Sequence, residues 1–542
     1  MRAARGLWAK DSSTWSGDPD VQQKIANRLG WLESPSLMAA SLDRIRTFAE
    51  GVRRDGFTDV VLLGMGGSSL APEVLRAVLG ARPGWPRLHM LDSTDPAAVR
   101  AVSTVPATTL FLLSSKSGTT IEPNSLAAHF QRVLTSAGIT RWADHFVAIT
   151  DAGTALAGRA EQDKFRDSFI NPGDIGGRFS ALSFFGMVPA ALMGQDVEGL
   201  VRWGLAMLDD ARVSPGDAVN NPAVGLGLLM GAGAKAGRDK LTLIVPPSLA
   251  AFGLWVEQLV AESTGKQGVG VVPIAGEALG GAHVYGADRV FVRLRTPADA
   301  DEERFDKAIE QLSAAPILSI DFPEPTALGA EFVRWEIATA VAGALLGVNP
   351  FDEPNVQTAK DATNKLLAQH KTEGRLPVPP ADRTTSDGTT FTLSAAAKIA
   401  LGSRGADSLL SLVGAGDYVG VLAYLGPDQA FDDAVARFRA SVRQRTRAAT
   451  MFGSGPRYLH STGQLHKGGA NNGVFVLISD TPAQDVDIPG QPFTFGTLEL
   501  AQALGDFNSL DASSRRAVHV HLPTPDPALL SAAFELLLHG TS

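Results

Sequence analysis

Short apolar runs alternate along the first third of the chain with stretches in which apolar residues recur at helical spacing. The runs cover residues 60–63, 88–91, 109–113 and 145–149. After the third run, Ile121, Leu126 and Phe130 keep the helical spacing. Strands buried on both faces of a parallel sheet are continuously apolar, whereas the helices that connect them carry one apolar stripe. The pattern therefore predicts an α/β fold in which helices cover both faces of a parallel sheet.

The same alternation returns twice further along the chain. Apolar runs lie at residues 241–245, 270–274, 290–294 and 317–320, and again at residues 418–425, 473–478 and 517–522. A stretch rich in Pro and Thr, residues 376–390, has the composition of a linker. We therefore expect three domains: residues 1–204, with N-terminal helices and the first sheet; residues 205–378, with the second sheet; and residues 379–542, an additional C-terminal α/β domain.

Two of the first strands end in turns that are rich in glycine and hydroxyl groups. Residues 64–69 read GMGGSS, which differs from the G-x-G-x-x-G pattern of dinucleotide-binding proteins, and residues 114–120 read SSKSGTT. Free amides at helix starts bind phosphate, and ligands of parallel sheets bind at the carboxyl ends of the strands. An ordinary helix cap needs only one hydroxyl, so the excess predicts an anion site. Its candidate phosphate ligands are Ser68, Ser69, Ser115, Lys116, Ser117, Thr119 and Thr120.

Composition narrows the class of protein further. The chain of 542 residues contains no cysteine, which excludes disulfides, thiolate metal sites and cysteine nucleophiles. Its formal charge of -9 disfavours nucleic acid as the main partner but is compatible with a small anionic substrate. Apolar stretches are too short for a signal peptide or a membrane span, so we expect a cytoplasmic protein without membrane contact. His519 and His521 share one face of a predicted strand, but no carboxylate cluster accompanies them, and we expect no metal and no cofactor.

Five segments, taken together, resemble phosphoglucose isomerase. They read GMGGSSLAP at 64–72, SKSGTT at 115–120, GGRFS at 176–180, AESTGK at 261–266 and GVNPFDEPNVQTAK at 347–360, and they occur in the order found in that family. The C-terminal string GPRYLHSTGQLHKGG at 455–469 resembles the isomerase half of fused transaldolase–phosphoglucose isomerase proteins. The chain starts where that half would start, and it has no segment of the length of a transaldolase barrel.

The resemblance implies a fold and a reaction. The fold would have two sugar-isomerase (SIS) type domains, each a helix–sheet–helix sandwich with a parallel sheet, and an active site between them. The reaction would interconvert glucose 6-phosphate and fructose 6-phosphate through an enediolate. Such chemistry needs a phosphate site, groups that open the sugar ring, a base and a cation beside the enediolate. Family members are usually dimers, so a homodimer is a further expectation. The resemblance to the fused proteins adds the expectation of an association with a separate transaldolase.

The resemblance also implies three catalytic residues. Glu262, in the ESTGK motif, corresponds to the base that moves a proton between C1 and C2, and Arg178, in GGRFS, to the cation beside the enediolate. Lys360, at the end of its motif, corresponds to a lysine that acts at the ring oxygen. Without the family context, each residue has a plainer interpretation: a capping glutamate, an arginine paired with Asp174, and a solvated lysine.

The ring-opening histidine is implied less directly. His283 follows a string, GEALGGA, that is similar to the family's motif but one residue shorter. His460 and His466 of the C-terminal domain are therefore alternatives, as is a mechanism that uses no histidine. Three glycines are expected to let the backbone approach the substrate: Gly66, Gly67 and Gly177.

Other functions remain open at this point. The chain could act on mannose 6-phosphate as well as or instead of glucose 6-phosphate, or it could be a regulator that binds sugar phosphates without catalysis. A regulator would keep the hydroxyl-rich turns and could lose the base, so the presence of Glu262, Arg178 and Lys360 favours an enzyme. A metal-dependent hydride transfer is disfavoured because no ligand cluster is evident. The basic residues around 443–467 predict either an anion site or lid, or a solvated surface.

Overall fold

The structure is a computed structural model that describes residues 2–212, 220–297, 306–307, 309–312 and 315–540. In these ranges the chain forms three sheets, which define three consecutive α/β units. The elements of the first unit are α1 (Arg2–Trp8), α2 (Pro19–Ala26), α3 (Ser34–Arg54), β1 (Asp59–Gly64), α4 (Leu70–Leu79), β2 (Arg87–Leu91), α5 (Pro96–Ala101), β3 (Thr109–Ser114), α6 (Ile121–Ser136), β4 (Phe146–Asp151), α7 (Ala155–Gln162), β5 (Asp167–Asn171), α8 (Phe184–Leu192) and α9 (Val197–Arg212).

The second and third units continue the alternation. The second unit consists of α10 (Pro222–Lys235), β6 (Lys240–Ile244), α11 (Ala250–Thr264), β7 (Val272–Ile274), β8 (Arg289–Arg295), β9 (Ile317–Asp321), α12 (Leu328–Leu346) and α13 (Pro354–Glu373). The third unit consists of β10 (Arg383–Thr384), β11 (Thr390–Leu393), α14 (Ala395–Leu401), β12 (Tyr418–Tyr424), α15 (Gln429–Thr446), β13 (Ala449–Ser454), α16 (Gly463–Gly468), β14 (Gly473–Asp480), α17 (Phe495–Ala512), β15 (Arg516–Leu522) and α18 (Pro527–His539).

The parallel strands of the three sheets follow the same spatial order. The first sheet runs β2-β1-β3-β4-β5, the second runs β7-β6-β8-β9, and both are parallel throughout. In the third sheet β13-β12-β14-β15 are parallel, and β11 and β10 extend it as antiparallel strands beyond β15. The predicted fold class, an α/β protein with parallel sheets and an additional C-terminal α/β unit, is confirmed. The boundaries after residues 204 and 378 stay predictions.

Alternate residues of β1 face opposite sides of the first sheet. Val60 and Leu62 pack in the core that includes α3, α4 and α8, whereas Val61 and Leu63 pack against α6 and α7. Phe495 of α17 belongs to this second core as well, so a helix of the third unit covers part of the first sheet. This packing joins the first and third units.

The predicted linker at residues 376–390 is only partly irregular. Residues 383–384 form β10 and pair with Phe391 and Thr390 of β11, at the edge of the third sheet. The turn between them is closed by Asp387, whose carboxylate accepts hydrogen bonds from Thr385 and the amide of Thr389. An edge strand leaves part of its backbone unpaired and therefore tolerates Pro. Its composition can thus resemble that of a linker. None of the helices that the structure describes is both long and apolar enough to cross a membrane.

Candidate active site

A cavity of about 480 Å³ opens at the carboxyl ends of β1 and β3. In the first sheet the strand order reverses between these two strands, which is where ligands of parallel sheets bind. The turns after both strands line the cavity, together with Arg178, one end of α11 and the start of α13. His460, from the turn that follows β13, completes the lining. All three units therefore contribute to this one site.

Five of the seven predicted phosphate ligands line the cavity. Those that face the cavity are Ser68, Ser115, Lys116, Ser117 and Thr120. Lys116 forms an ion pair with Asp151 and also donates to the carbonyl of Gly173 at 3.3 Å. Thr120 precedes α6 without making a side-chain capping hydrogen bond, which leaves the first amides of that helix without a side-chain acceptor. Hydroxyls, one ammonium group and a helix start together form a site suited to a phosphate.

Ser69 and Thr119 do not line this cavity. Ser69 is fully buried, and its hydroxyl donates to Asp92 Oδ2 at 3.1 Å and to the carbonyl of Gly66 at 3.2 Å. Helix α4 starts directly after Ser69, and this geometry turns the side chain into the protein. Thr119 is exposed and donates to the hydroxyl of Ser117 at 3.1 Å. The structure therefore does not support either residue as a direct phosphate ligand.

The glycines of the first turn are needed for close backbone packing. Gly66 has a φ of +54°, and a Cβ atom there would lie 2.6 Å from the carbonyl oxygen of His460. A Cβ atom on Gly67 would lie 2.0 Å from the carbonyl oxygen of Gly177. Only glycine permits such approaches. The glycine-rich turn after β1 is thus packed against the turn that contains Gly177 and the turn that ends in His460. Gly66, Gly67 and Gly177, the three glycines expected near the substrate, all line the cavity.

Glu262 lies in the last turn of α11, buried in the cavity wall. One carboxylate oxygen is 3.3 Å from Nη1 of Arg178, and the other accepts a hydrogen bond of 3.2 Å from Gln258, one helical turn earlier. Burial is the main cause that raises the pKa of Glu262 to about 7. The positive charge of Arg178 lowers this pKa, and the negative charge of Glu353 raises it. A carboxylate with a pKa near neutrality can both accept and return a proton at physiological pH.

The guanidinium of Arg178 is held on several sides. Its Nε donates to Ser263 Oγ at 2.7 Å, and its Nη2 donates to the carbonyls of Pro350 and Asp352 at 2.8 and 2.9 Å. Its Nη1 contacts Glu353 at 3.0 Å, on the same nitrogen that faces Glu262. An arginine fixed in this way presents its charge in one orientation, as the stabilisation of a developing anion requires.

Lys266 supports the same loop from the other side. Its ammonium donates to the carbonyl of Asn349 at 2.5 Å and pairs with Asp352 at 2.7 Å. Burial and the neighbouring Arg178 lower the pKa of Lys266 to about 8, against the attraction of Asp352. Lys266 therefore holds the segment that fixes Arg178.

His460 is the histidine that the structure places in the cavity. Its Nε2 lies 2.9 Å from Oε1 of Glu122, which also accepts a hydrogen bond of 2.7 Å from Gln502. Burial favours a higher pKa for Glu122, but His460 outweighs it, with Lys360 adding to the attraction, and the pKa of this carboxyl is lowered. Lys360 lines the same wall.

The other two histidine candidates lie elsewhere. His283 is exposed in a short turn and does not line the cavity. His466 is buried among Tyr418, Tyr458 and Phe475, and burial lowers its pKa far below the ordinary value. His283 therefore lies outside the cavity, whereas the alternative, His460, lines it; which of them acts on the substrate stays a prediction.

Two residues that contact the candidate catalytic residues were not identified from the sequence: Glu122 contacts His460, and Gln258 contacts Glu262. Glu122 follows the hydroxyl-rich turn by two positions and read there as an ordinary first-turn acid of a helix. Gln258 precedes Glu262 by four positions, a helical spacing that could have signalled a shared face.

The two histidines on β15 share one hydroxyl partner. The hydroxyl of Ser479 hydrogen-bonds ring nitrogens of both His519 and His521, at 2.7 and 2.9 Å. Across the part of the chain that the structure describes, no group of three or more His, Cys, Asp or Glu residues is arranged to hold a metal ion.

Known proteins resemble the chain in sequence over most of its length. The family model for phosphoglucose isomerase matches residues 35–286. A glucose-6-phosphate isomerase of Thermosynechococcus vestitus is 30% identical over 396 residues, which is 65% of this chain and 74% of that protein. The chain belongs to the phosphoglucose isomerase family. A second relative, the glucose-6-phosphate isomerase of Parasynechococcus marenigrum, is 29% identical over 65% of this chain and 73% of its own length.

Solved structures carry the same fold. A hypothetical protein of Thermus thermophilus superimposes with a TM-score of 0.57 at 27% identity, over 68% of this chain and 94% of that one. A glucose-6-phosphate isomerase of Chlamydia trachomatis has a TM-score of 0.52 at 20% identity, over 68% of this chain and 78% of that one. In this member of the phosphoglucose isomerase family, Lys360 and His460 lie beyond the range of the family model.

Proposed function

We propose that this chain interconverts glucose 6-phosphate and fructose 6-phosphate. Its relatives carry the name glucose-6-phosphate isomerase. The observation that carries the proposal is the pair formed by Glu262 and Arg178, a carboxyl with a pKa of about 7 that lies 3.3 Å from a fixed guanidinium. A base and a cation at this separation suit a proton transfer through an enediolate.

Binding would begin at the phosphate. The hydroxyls of Ser68, Ser115, Ser117 and Thr120, with the ammonium of Lys116, would receive the phosphate oxygens at one end of the cavity. The sugar would then extend towards Glu262 and His460. The cavity volume of about 480 Å³ suits a ligand of this size.

Ring opening would use His460 and its carboxylate partner. The imidazole of His460, in hydrogen-bond contact with Glu122, would deliver a proton to the ring oxygen as the bond between that oxygen and the anomeric carbon breaks. The anomeric hydroxyl loses its proton to water and becomes the carbonyl. The ammonium of Lys360, in the same wall, would stabilise negative charge on the oxygens during this step.

Isomerisation would use Glu262. The carboxylate takes the proton from C2 of the open-chain aldose, and the electron pair forms the enediolate, whose negative oxygen faces Arg178. The proton on the C2 hydroxyl moves to the C1 oxygen, and Glu262 returns its proton to C1. The product is the open-chain ketose, and Glu262 ends in its starting protonation state.

The environment of Glu262 favours catalysis over binding alone. A regulator that only binds sugar phosphates has no need of a carboxyl held near neutrality beside a cation. Mannose 6-phosphate differs from glucose 6-phosphate at C2, where the proton is taken, and its turnover is measured in the same assay. A homodimer, an association with a separate transaldolase and a cytoplasmic location stay predictions.

The test is the conversion of fructose 6-phosphate to glucose 6-phosphate with a chelator present. We expect wild type to turn over and Glu262→Gln to lose a factor of about 1,000 in kcat while it still binds the substrate. A wild type that binds the sugar phosphate without turnover would replace the enzyme proposal by the regulator. Loss of activity on adding chelator would point to a metal-dependent reaction.

A further inference from the structure

Arg457 starts the short turn of residues 457–460 that ends in His460. Its guanidinium forms a two-point pair with Asp92, with Nε 2.7 Å from Oδ2 and Nη2 2.8 Å from Oδ1. Asp92 is buried and directly follows β2, in the first unit. A fork-to-fork pair of this kind fixes orientation as well as distance. The third unit is thus anchored to the first unit three residues before His460.

The same carboxylate holds the glycine-rich turn. Oδ2 of Asp92 accepts the hydroxyl of Ser69 at 3.1 Å in addition to Nε of Arg457. Ser69 ends the turn in which Gly66 packs against the carbonyl of His460. Asp92 therefore connects the turn beside the phosphate to the turn that carries the histidine.

Two further contacts hold the histidine turn. The hydroxyl of Tyr458 donates to Asp506 at 2.5 Å, and Asp506 pairs with Lys467 in the interior of the third unit. The carbonyl of His460 accepts a hydrogen bond of 2.7 Å from Gln258 of the second unit. Of these anchors, the Arg457–Asp92 pair joins the histidine turn to the first unit, which also carries Glu122.

We propose that Arg457 is a positioning residue for ring opening, because its pair with Asp92 fixes the His460 turn against Glu122 and the glycine-rich turn. The inference rests on the proposed function, in which His460 delivers a proton to the ring oxygen. A proton donor must lie within hydrogen-bond reach of its target, and a displacement of about 1 Å can cost a factor of about 100 in rate. Loss of the pair should therefore slow ring opening and leave the later proton transfer at Glu262 intact.

The experiment compares two substrates. Fructose 6-phosphate must be ring-opened, whereas 5-deoxyfructose 6-phosphate lacks the hydroxyl that closes the ring and is always open-chain. For Arg457→Met we expect kcat on fructose 6-phosphate to fall about 100-fold with KM within threefold of wild type, and kcat on the open-chain substrate to stay within threefold. Arg457→Lys should recover part of the loss, since an ammonium can still bond one oxygen of Asp92.

The matched control is Arg132→Met. Arg132 of the first unit donates a hydrogen bond of 3.0 Å to the carbonyl of Asp487 of the third unit. This contact is exposed, and both residues are distant in sequence from the turns described above. This variant also removes one arginine contact between the two units, and both substrates should be turned over at wild-type rates. Melting temperatures are measured for every variant.

Three results would overturn the inference. If Arg457→Met lowers kcat equally on both substrates, Arg457 has a general structural role. If it lowers kcat on neither substrate, the pair with Asp92 does not contribute to ring opening. If Arg457→Met does not fold, Arg457→Lys and Asp92→Asn are judged by the same ratio of the two substrates, and an unchanged ratio in both rejects the inference. A wild type inactive on both substrates would instead reject the proposed function itself.

Discussion

Nε2 of His460 lies 2.9 Å from Oε1 of Glu122, although 338 residues separate the two in sequence. Glu122 lies in the first turn of α6 in the first unit, and His460 is the last residue of a short turn in the third unit. If the pair opens the sugar ring, Glu122→Gln keeps a hydrogen-bond acceptor but removes the negative charge that contacts Nε2 of His460. We expect kcat on fructose 6-phosphate to fall about 10- to 100-fold. Activity on 5-deoxyfructose 6-phosphate should be retained, and a parallel loss on that substrate would contradict the assignment.

The pH dependence of activity should report the ionisation of Glu262. Because the base must be ionised, kcat/KM should rise with pH through the pKa of about 7. Burial is the main cause of this raised pKa, and Glu353 contributes as a like charge. Glu353→Gln should therefore move the acid limb to lower pH by about half a unit, given its exposure to solvent. The control is Glu373→Gln at the end of α13, whose profile should match wild type; an unmoved limb in Glu353→Gln would contradict the coupling.

The carboxyl of Glu262 should lower the free energy of unfolding at pH values above its ordinary pKa of 4.5. A carboxyl whose pKa is raised by folding binds its proton more tightly in the folded state, so stability is lost as pH rises from about 4.5 to about 7. Glu262→Gln removes this cost, and we expect it to be more stable than wild type by about 3 kcal/mol at pH 8, with a much smaller difference at pH 4. Urea unfolding at the two pH values measures this difference, and a Gln variant less stable at pH 8 would contradict the ionisation of a buried Glu262.

Replacing Gly67 should disturb the packing of the turns. In Gly67→Ala the new Cβ atom would lie 2.0 Å from the backbone oxygen of Gly177, so one of the two turns must move. We expect a loss of about 1–3 kcal/mol in unfolding free energy. Gly177→Ala is the matched control for stability, because a Cβ atom there has no neighbour within 4 Å. Equal melting temperatures of the two variants would show that the contact is easily relieved.

Activity per chain should not change on dilution. The cavity lining described above, including His460, comes from one chain, so dissociation of a homodimer would leave the site complete. We expect constant specific activity across the concentration range in which size-exclusion chromatography detects a change of oligomeric state. A fall in specific activity that follows dissociation would show that a second chain completes the site.

Local patterns were sufficient to predict the sheet architecture and part of the site. The apolar runs indicated the parallel strands, and the excess of hydroxyls after β3 indicated residues that do line the cavity. The side-chain direction of Ser69 was not predictable, because it depends on where α4 begins and on a hydrogen bond to Asp92. Sequence spacing treats Ser68 and Ser69 alike, whereas the fold places one in the cavity and buries the other.

The histidine could not be chosen from sequence for a different reason. His283 had the better local motif, but it lies in an exposed turn of the second unit. His460 reaches the cavity only because the third unit packs on the first, through contacts such as Arg457 with Asp92. Packing between units so distant in sequence leaves no periodic signal.

Helix α17 also has a consequence for synthesis of the chain. Its residue Phe495 packs in the core layer that contains Val61 and Leu63, so this part of the first sheet is covered by residues that are translated after all strands of the first two sheets. A growing chain exposes that apolar surface until α17 has left the ribosome, and exposed apolar surface promotes aggregation. Fragments that end before residue 495 should therefore need chaperones to remain soluble, even though they contain every strand of the first two sheets.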